Sequence, residues 1–230
     1  MKKIGDGIWA HEDTMRLPGM TLRLRMTVIE LADGGLWVHS PTAHSPQLAD
    51  EIHDLGAVQY IVGASNGHNL WLAQWQAAYP DATLYVSAAI PKKLKLSDYK
   101  ILDGSTENIW ASDLDHEYMA GVPLFNESVF LHRASQSLIV SDLIQNHSDD
   151  RASGLSGLAA KCIYEPIGFK DICVAPPLRM RFMIKDKEKF ATSIQRIQDW
   201  DFNKIIVSHG DIIEKNAQQV FSNLCERFFA

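Results

Sequence analysis

The chain has 230 residues, 46% of them hydrophobic, with a formal net charge of −6 and a pI of about 5.8; that is enough apolar material for a sizeable core without disulfide or metal staples. Its main basic run, Pro91-Lys92-Lys93 with Lys95 beyond it, builds no field to attract a polyanion, which argues against a nucleic-acid partner. No eighteen apolar residues run together as a membrane span would need, MKKIGDGIWAHEDTM meets acidic residues before any signal-like stretch, and Cys162, Cys173 and Cys225 lack paired spacing, so a cytoplasmic protein with reduced thiols is expected.

In TLRLRMTVIEL (21–31), Leu22, Leu24, Met26 and Val28 alternate with polar residues, the period of a half-buried strand; after the turn ADGG, LWVHSP reads as its antiparallel partner. The chain is therefore expected to open with this hairpin. Ser45-Pro46 supplies a cap and a first-turn proline for a helix that carries Leu48, Ile52 and Leu55 and ends at Gly56. VQYIVGA (58–64) is a buried strand, Asn69 to Tyr79 a helix ending before Pro80, and LYVS (84–87) the next strand.

From about 100 to 142 strands return in NIWAS, SVFLH and SLIVSD. Residues 143–185 read as irregular, with a short helix near 155–164, and together with 88–106 they are the loops expected to shape any substrate site. A helix over about 187–200 follows Asp186 as cap and buries Phe190, Ile194 and Ile197. KIIVSHG (204–210) is a buried strand ending in a histidine, and the last helix is expected to bury Val220, Leu224 and Phe228. No linker divides the chain, so residues 1–230 read as one α/β domain of the α+β type, two mixed sheets flanked by helices.

Two chemistries can be written on this frame. Gly63-Ala64-Ser65-Asn66-Gly67 fits G-x-S-x-G between a strand and a helix, and Asp142 and His209 follow in the order of a nucleophile-elbow triad; the plainer reading is a turn that lets the chain leave a strand. Alternatively, His39, His68, Asp142 and His209 each stand at or just after the end of a buried strand. Strand ends share one rim of a sheet, where three such donors suffice for a catalytic metal with water in the open position.

The stretches WAHEDTMRLPGMTLRLRMTVIELADGGLWVHSP, YIVGASNGHNLWLAQWQAAYPDATLYV, SLIVSDLIQNH and IIVSHGD together resemble a branch of the metallo-β-lactamase superfamily, in order and over most of the chain. The resemblance implies an αββα four-layer sandwich with metal at the shared edge of two sheets. The superfamily's T-H-x-H-x-D-H bend corresponds here to Ser65, Asn66, Gly67, His68, Asn69, Leu70 and Trp71, so only His68 keeps a ligand type. Its later histidine has no clean equivalent: Leu124 stands there, with Glu127, His132 and His116 in the neighbourhood. Its bridging aspartate corresponds to Asp142 and its last histidine to His209.

Too few donors remain for two ions. The resemblance thus implies a mononuclear hydrolase of an unidentified ester-type small molecule, with one zinc, iron or manganese ion on His68, Asp142 and His209, aided by Glu127 or His116. The alternatives are a non-catalytic binding or scaffold descendant without metal, and a serine hydrolase through Ser65. His39 reads as a buried histidine satisfied by backbone, and His11, His44, His53 and His147 as solvated. Trp71 and Trp75 read as core, and Asp211 and Glu214 as groups that solvate or cap the last helix.

Overall fold

In the computed structural model, which describes residues 1–17, 20–106, 108–148, 162, 165–179 and 183–229, alternate residues of each central strand go to different cores. The first sheet orders β1 (Lys2–Gly5), β2 (Ile8–Leu17), β3 (Met20–Glu30), β4 (Gly35–His39), β5 (Ala57–Gly63), β6 (Thr83–Val86) and β7 (Tyr99–Ile101) side by side. Its first four strands pair antiparallel. From β4 to β7 they run parallel, and each crossover carries a helix: α1 (Pro46–Leu55), α2 (Leu72–Ala78) or α3 (Ile90–Leu94). The second sheet has the order β13 (Lys204–Val207), β10 (Ser137–Val140), β9 (Ser128–His132), β8 (Leu114–Tyr118), with only β13 and β10 parallel. A ribbon of β11 (Ile144–Asn146) and β12 (Ile172–Val174) lies apart. The other helices among the described residues are α4 (Glu165–Ile167), α5 (Pro176–Arg179), α6 (Lys187–Gln198) and α7 (Ala217–Phe229).

Three apolar clusters separate four layers. Trp37, Val62, Phe130, Ile139 and Ile206 meet between the two sheets. Their chain neighbours Leu36, Val38 and Ile61 point the other way, onto α1 and α2 through Leu48, Ile52, Leu72 and Trp75. On the far side, Leu138, Val140, Ile205 and Val207 pack with Phe190, Ile194 and Ile197 of α6 and Phe221 and Leu224 of α7. A strand covered on both faces has to read as a continuous apolar run, and that is why these strands were legible. The expected αββα sandwich with two mixed sheets is the observed one.

Several local expectations differ. Two strands, β1 and β2, precede the β3–β4 hairpin, with β2 paired from Ile8↔Ile29 to Leu17↔Met20; in β2, IWAHEDTMRL, the unbroken polar run His11–Thr14 interrupts the alternation, so its period is masked. NIWAS is a turn. Trp110 drops from it into the core between the sheets, while Asn108 accepts the Trp110 N–H (3.2 Å) and donates to the Leu114 carbonyl (2.9 Å); the strand is LDHEY just beyond. The α2 helix starts only at Leu72. Residues 88–106 hold α3 and β7, and the 143–185 stretch holds β11 and β12; most of the helix expected near 155–164 lies outside the described residues. In α7 the buried face is Ala217, Phe221, Leu224 and Cys225, with Val220 and Phe228 only partly covered. Ser45 caps α1 as expected, accepting the Leu48 N–H at 3.2 Å, and Asp186 caps α6 through the Lys189 N–H at 3.1 Å. No described helix is long and apolar enough to cross a membrane.

Candidate metal centre

Parallel β5 and the β10–β13 pair all end at one rim, and the residues that leave them converge. His68 comes from the bend after β5, Asp142 follows β10, and His209 follows β13. Nε2 of His68 and Nε2 of His209 each lie 3.6 Å from the same oxygen, Asp142 Oδ1, and the two rings are 5.0 Å apart. One donor atom from each residue falls within 4.8 Å of the others, a cluster that none of the other expected histidines or carboxylates joins among the described residues.

Two of the three groups, His209 and Asp142, are held from behind. Nδ1 of His209 lies 3.0 Å from the Arg23 carbonyl oxygen; a carbonyl can only accept, so Nδ1 carries a proton and Nε2 is the nitrogen that faces the centre. The Ser65 hydroxyl donates to Asp142 Oδ2 at 2.7 Å and accepts the Gly67 N–H at 3.2 Å. That occupies Oδ2 and leaves Oδ1 facing the imidazoles. Gly67 is required here, because a Cβ would stand 2.7 Å from Asp142 Oδ2. Gly210, at φ +85°, lets the chain turn away after His209 against the Asn146 carbonyl, where a Cβ would collide.

The electrostatics follow from this packing. Burial by itself would raise Asp142, but the adjacent His68, with His209 beside it, holds its carboxyl well below the usual carboxylate range. Beneath it lies Glu127, only 2% exposed, which accepts the N–H groups of Ser141 (2.7 Å) and Asp142 (3.0 Å). Burial, then the Asp142 charge, push Glu127 up to about 8. His39 is fully buried, stacks on Trp37 and lies 3.3 Å from the Ser141 hydroxyl. Burial, with His68 second, pushes it down to about 3, so it stays neutral.

The lost ligand positions have become structure. Asn66 turns away from the centre, donating to the carbonyls of Pro123 (3.2 Å) and Leu124 (3.0 Å) and accepting from the Ser87 hydroxyl (2.6 Å). Leu70 is exposed, and Trp71 packs on the helix-side core. Leu124 is exposed at the surface. His116 lies on β8, 3.0 Å from the Ser128 hydroxyl and stacked on Phe130; His132, at the far end of β9, lies 2.8 Å from the Ser135 hydroxyl. Neither aids the cluster, and both Glu127 oxygens are taken by main-chain N–H groups. Asp211 accepts from Arg23 at 2.7 Å instead of capping the last helix, and His147 is buried beside Gln145, not solvated.

The triad arrangement is not built. Ser65 is fully buried, and its hydroxyl donates to the acid itself with no imidazole between them. What sequence reasoning missed were the supports: Ser65 as a brace for Asp142, the Arg23 carbonyl behind His209, and Glu127 beneath the loop. For Glu127 a signal existed, a lone carboxylate set directly before the apolar run SVFLH.

Above the centre is a pocket of about 130 Å³, walled by Met15, Leu22 and Leu24 of the β2–β3 hairpin and by Leu70 and Trp71, with the three donors on its floor. An ion with tetrahedral bonds of about 2.1 Å sets neighbouring donors about 3.4 Å apart. The two 3.6 Å separations match that spacing, and two imidazole nitrogens with one carboxylate oxygen are a donor set suited to zinc, iron or manganese.

The architecture is that of the metallo-β-lactamase fold. Solved structures with this fold include the metallo-β-lactamases from Pontibacter korlensis (13% identity, TM-score 0.62, 98% of this chain and 97% of that one) and Hirschia baltica (12% identity, TM-score 0.63, 97% and 94%). The metal-soaked Flv1 flavodiiron core from Synechocystis sp. PCC6803 is similar at 11% identity and TM-score 0.67, over 98% of this chain and 59% of that one. Within the fold, residues 5–154 match the model of a family described as a domain of unknown function, DUF4336, and the chain belongs to that family. No curated protein sequence matches it.

Proposed function

We propose that the protein is a mononuclear metal-dependent hydrolase of an ester-type small molecule, with His68, Asp142 and His209 holding the ion. The observation that carries this reading is the pair of imidazole nitrogens set 3.6 Å from one carboxylate oxygen. A divalent ion bound there supplies a Lewis acid that polarises a carbonyl and makes water nucleophilic near neutral pH. The chain's own groups serve that chemistry: the Arg23 carbonyl keeps the His209 proton on Nδ1, Ser65 leaves one Asp142 oxygen unspent, and Met15, Leu22, Leu24 and Trp71 line an apolar wall that excludes bulk water and receives the apolar part of a substrate. With the T-H-x-H-x-D-H donors reduced to His68, one ion and not two is the stoichiometry that fits.

Elemental analysis of purified protein tests this directly. One equivalent of zinc, iron or manganese per chain is expected, and it is lost with a chelator and regained on adding zinc. Protein that is metal-free and refuses zinc at micromolar concentration overturns the proposal and leaves a binding protein that keeps only the fold.

A further inference from the structure

Segment 123–128 runs between the two halves of the centre and touches both. Its main chain grips the His68 bend: the Asn66 N–H donates to the Phe125 carbonyl (2.7 Å), the Ser128 N–H to the Ala64 carbonyl (2.8 Å), and the Asn66 amide to the carbonyls of Pro123 and Leu124. Its one carboxylate grips the other half. The β9–β10 pairing reaches only as far as Phe130↔Ile139, so the N–H groups that follow β10 lie past its end; Glu127 supplies Oε1 to Ser141 and Oε2 to Asp142. Peptide N–H groups converging on one point can only donate, so the partner must offer two acceptors, which a carboxylate does and an amide does not.

We infer that Glu127 is a positioning residue: by holding two successive main-chain N–H groups it fixes the turn that sets Asp142 Oδ1 between His68 and His209. A buried carboxyl beside a second one is costly either way, because as an ion it is removed from water and repelled and as an acid it must take up a proton. Ser128, next in the chain, is fully buried too, so this carboxyl is held away from water with its two main-chain N–H groups as partners. The side chain does not line the pocket above the centre and acts through Asp142.

The inference rests on the metal reading only for one of its readouts. In metal-free ¹⁵N-labelled protein, Glu127→Gln, which keeps the volume but replaces an acceptor with a donor, should speed hydrogen exchange at the Ser141 and Asp142 amides at least tenfold and move the imidazole ¹⁵N resonances of His68 and His209. Amides in β9 and β13 should keep their rates. Unchanged exchange at 141 and 142, or unmoved imidazole resonances, overturns the inference. In a competition titration with a chromophoric chelator, the same variant should bind zinc about 10- to 100-fold more weakly than the natural sequence, the range expected for groups that orient ligands; equal affinity overturns it. If the natural sequence binds no zinc, the metal reading fails, and the exchange and imidazole readouts alone decide the role of Glu127. Should Glu127→Gln not fold, Glu127→Asp, one methylene short of both N–H groups, takes its place with the same expected directions.

Discussion

Two cavities of this protein hold the same kinds of side chain and differ in how those side chains are spent. The larger, about 570 Å³, lies between the loop after β7, strand β8 and helix α6, and contains His116, Asp103, Glu117, Glu188, Lys189 and Arg196. There His116 is committed to Ser128 and stacked on Phe130, Asp103 accepts from Ser105 (2.8 Å to its N–H and 2.7 Å to its hydroxyl), and Glu117 pairs with Arg196 at 3.4 Å. The smaller, about 130 Å³, keeps two imidazole nitrogens and one carboxylate oxygen turned toward a common point. Convergence of unspent lone pairs, and not volume, distinguishes a candidate site from a gap between elements.

Breaking that convergence should have the largest effect. Asp142→Ala removes the oxygen that both imidazoles share and should weaken zinc binding by more than the roughly 100-fold limit of outer-shell changes. Asp103→Ala in the larger cavity should leave it unchanged, and a competition titration of the two variants side by side checks both. Equal affinity in Asp142→Ala and the natural sequence would remove the contrast between the cavities.

The second effect is on stability against pH. Burial depresses His39 to about 3 and His116 to about 4 in the folded state, whereas in the unfolded chain each takes up a proton near 6.5. The folded form therefore binds fewer protons below 6.5, and the stability these residues contribute is present above that pH and lost as it falls from about 6.5 toward 4. The slope approaches about 1.4 kcal/mol per pH unit for each imidazole. Glu127, raised to about 8 in the folded state, opposes one of these protons over the same range, so denaturant titrations at pH 7, 6 and 5 should show the remainder, and His116→Phe should flatten it by one proton's worth.

The smallest effect is expected at Ser65. Removing its hydroxyl in Ser65→Ala frees one Asp142 oxygen to turn and should weaken zinc binding by about tenfold. Because that hydroxyl is buried and donates to the carboxylate, a fluorophosphonate probe should not label the natural protein; labelling that disappears in Ser65→Ala would reinstate the serine mechanism.

What the sequence determined by itself was the sandwich and the three residues that end its strands at one rim. The runs YIV, LIV and IIV at the centre of these strands are apolar at every position because both faces are covered, so they announce buried strands, and the polar residues that follow each run have to emerge at a rim. Strand β2 stayed hidden because the polar run His11–Thr14 breaks its alternation, and NIWAS misled because one buried indole, Trp110, imitated a strand's apolar face. Only the tertiary structure decided that residues 68, 142 and 209, separated by scores of residues, share one oxygen. It alone decided that Ser65 braces the acid instead of attacking substrate, and that Glu127 turns its two oxygens to the main chain. The physical reason is one of range: burial patterns follow from residues close together in the chain, whereas the direction of a lone pair depends on partners that only folding brings alongside.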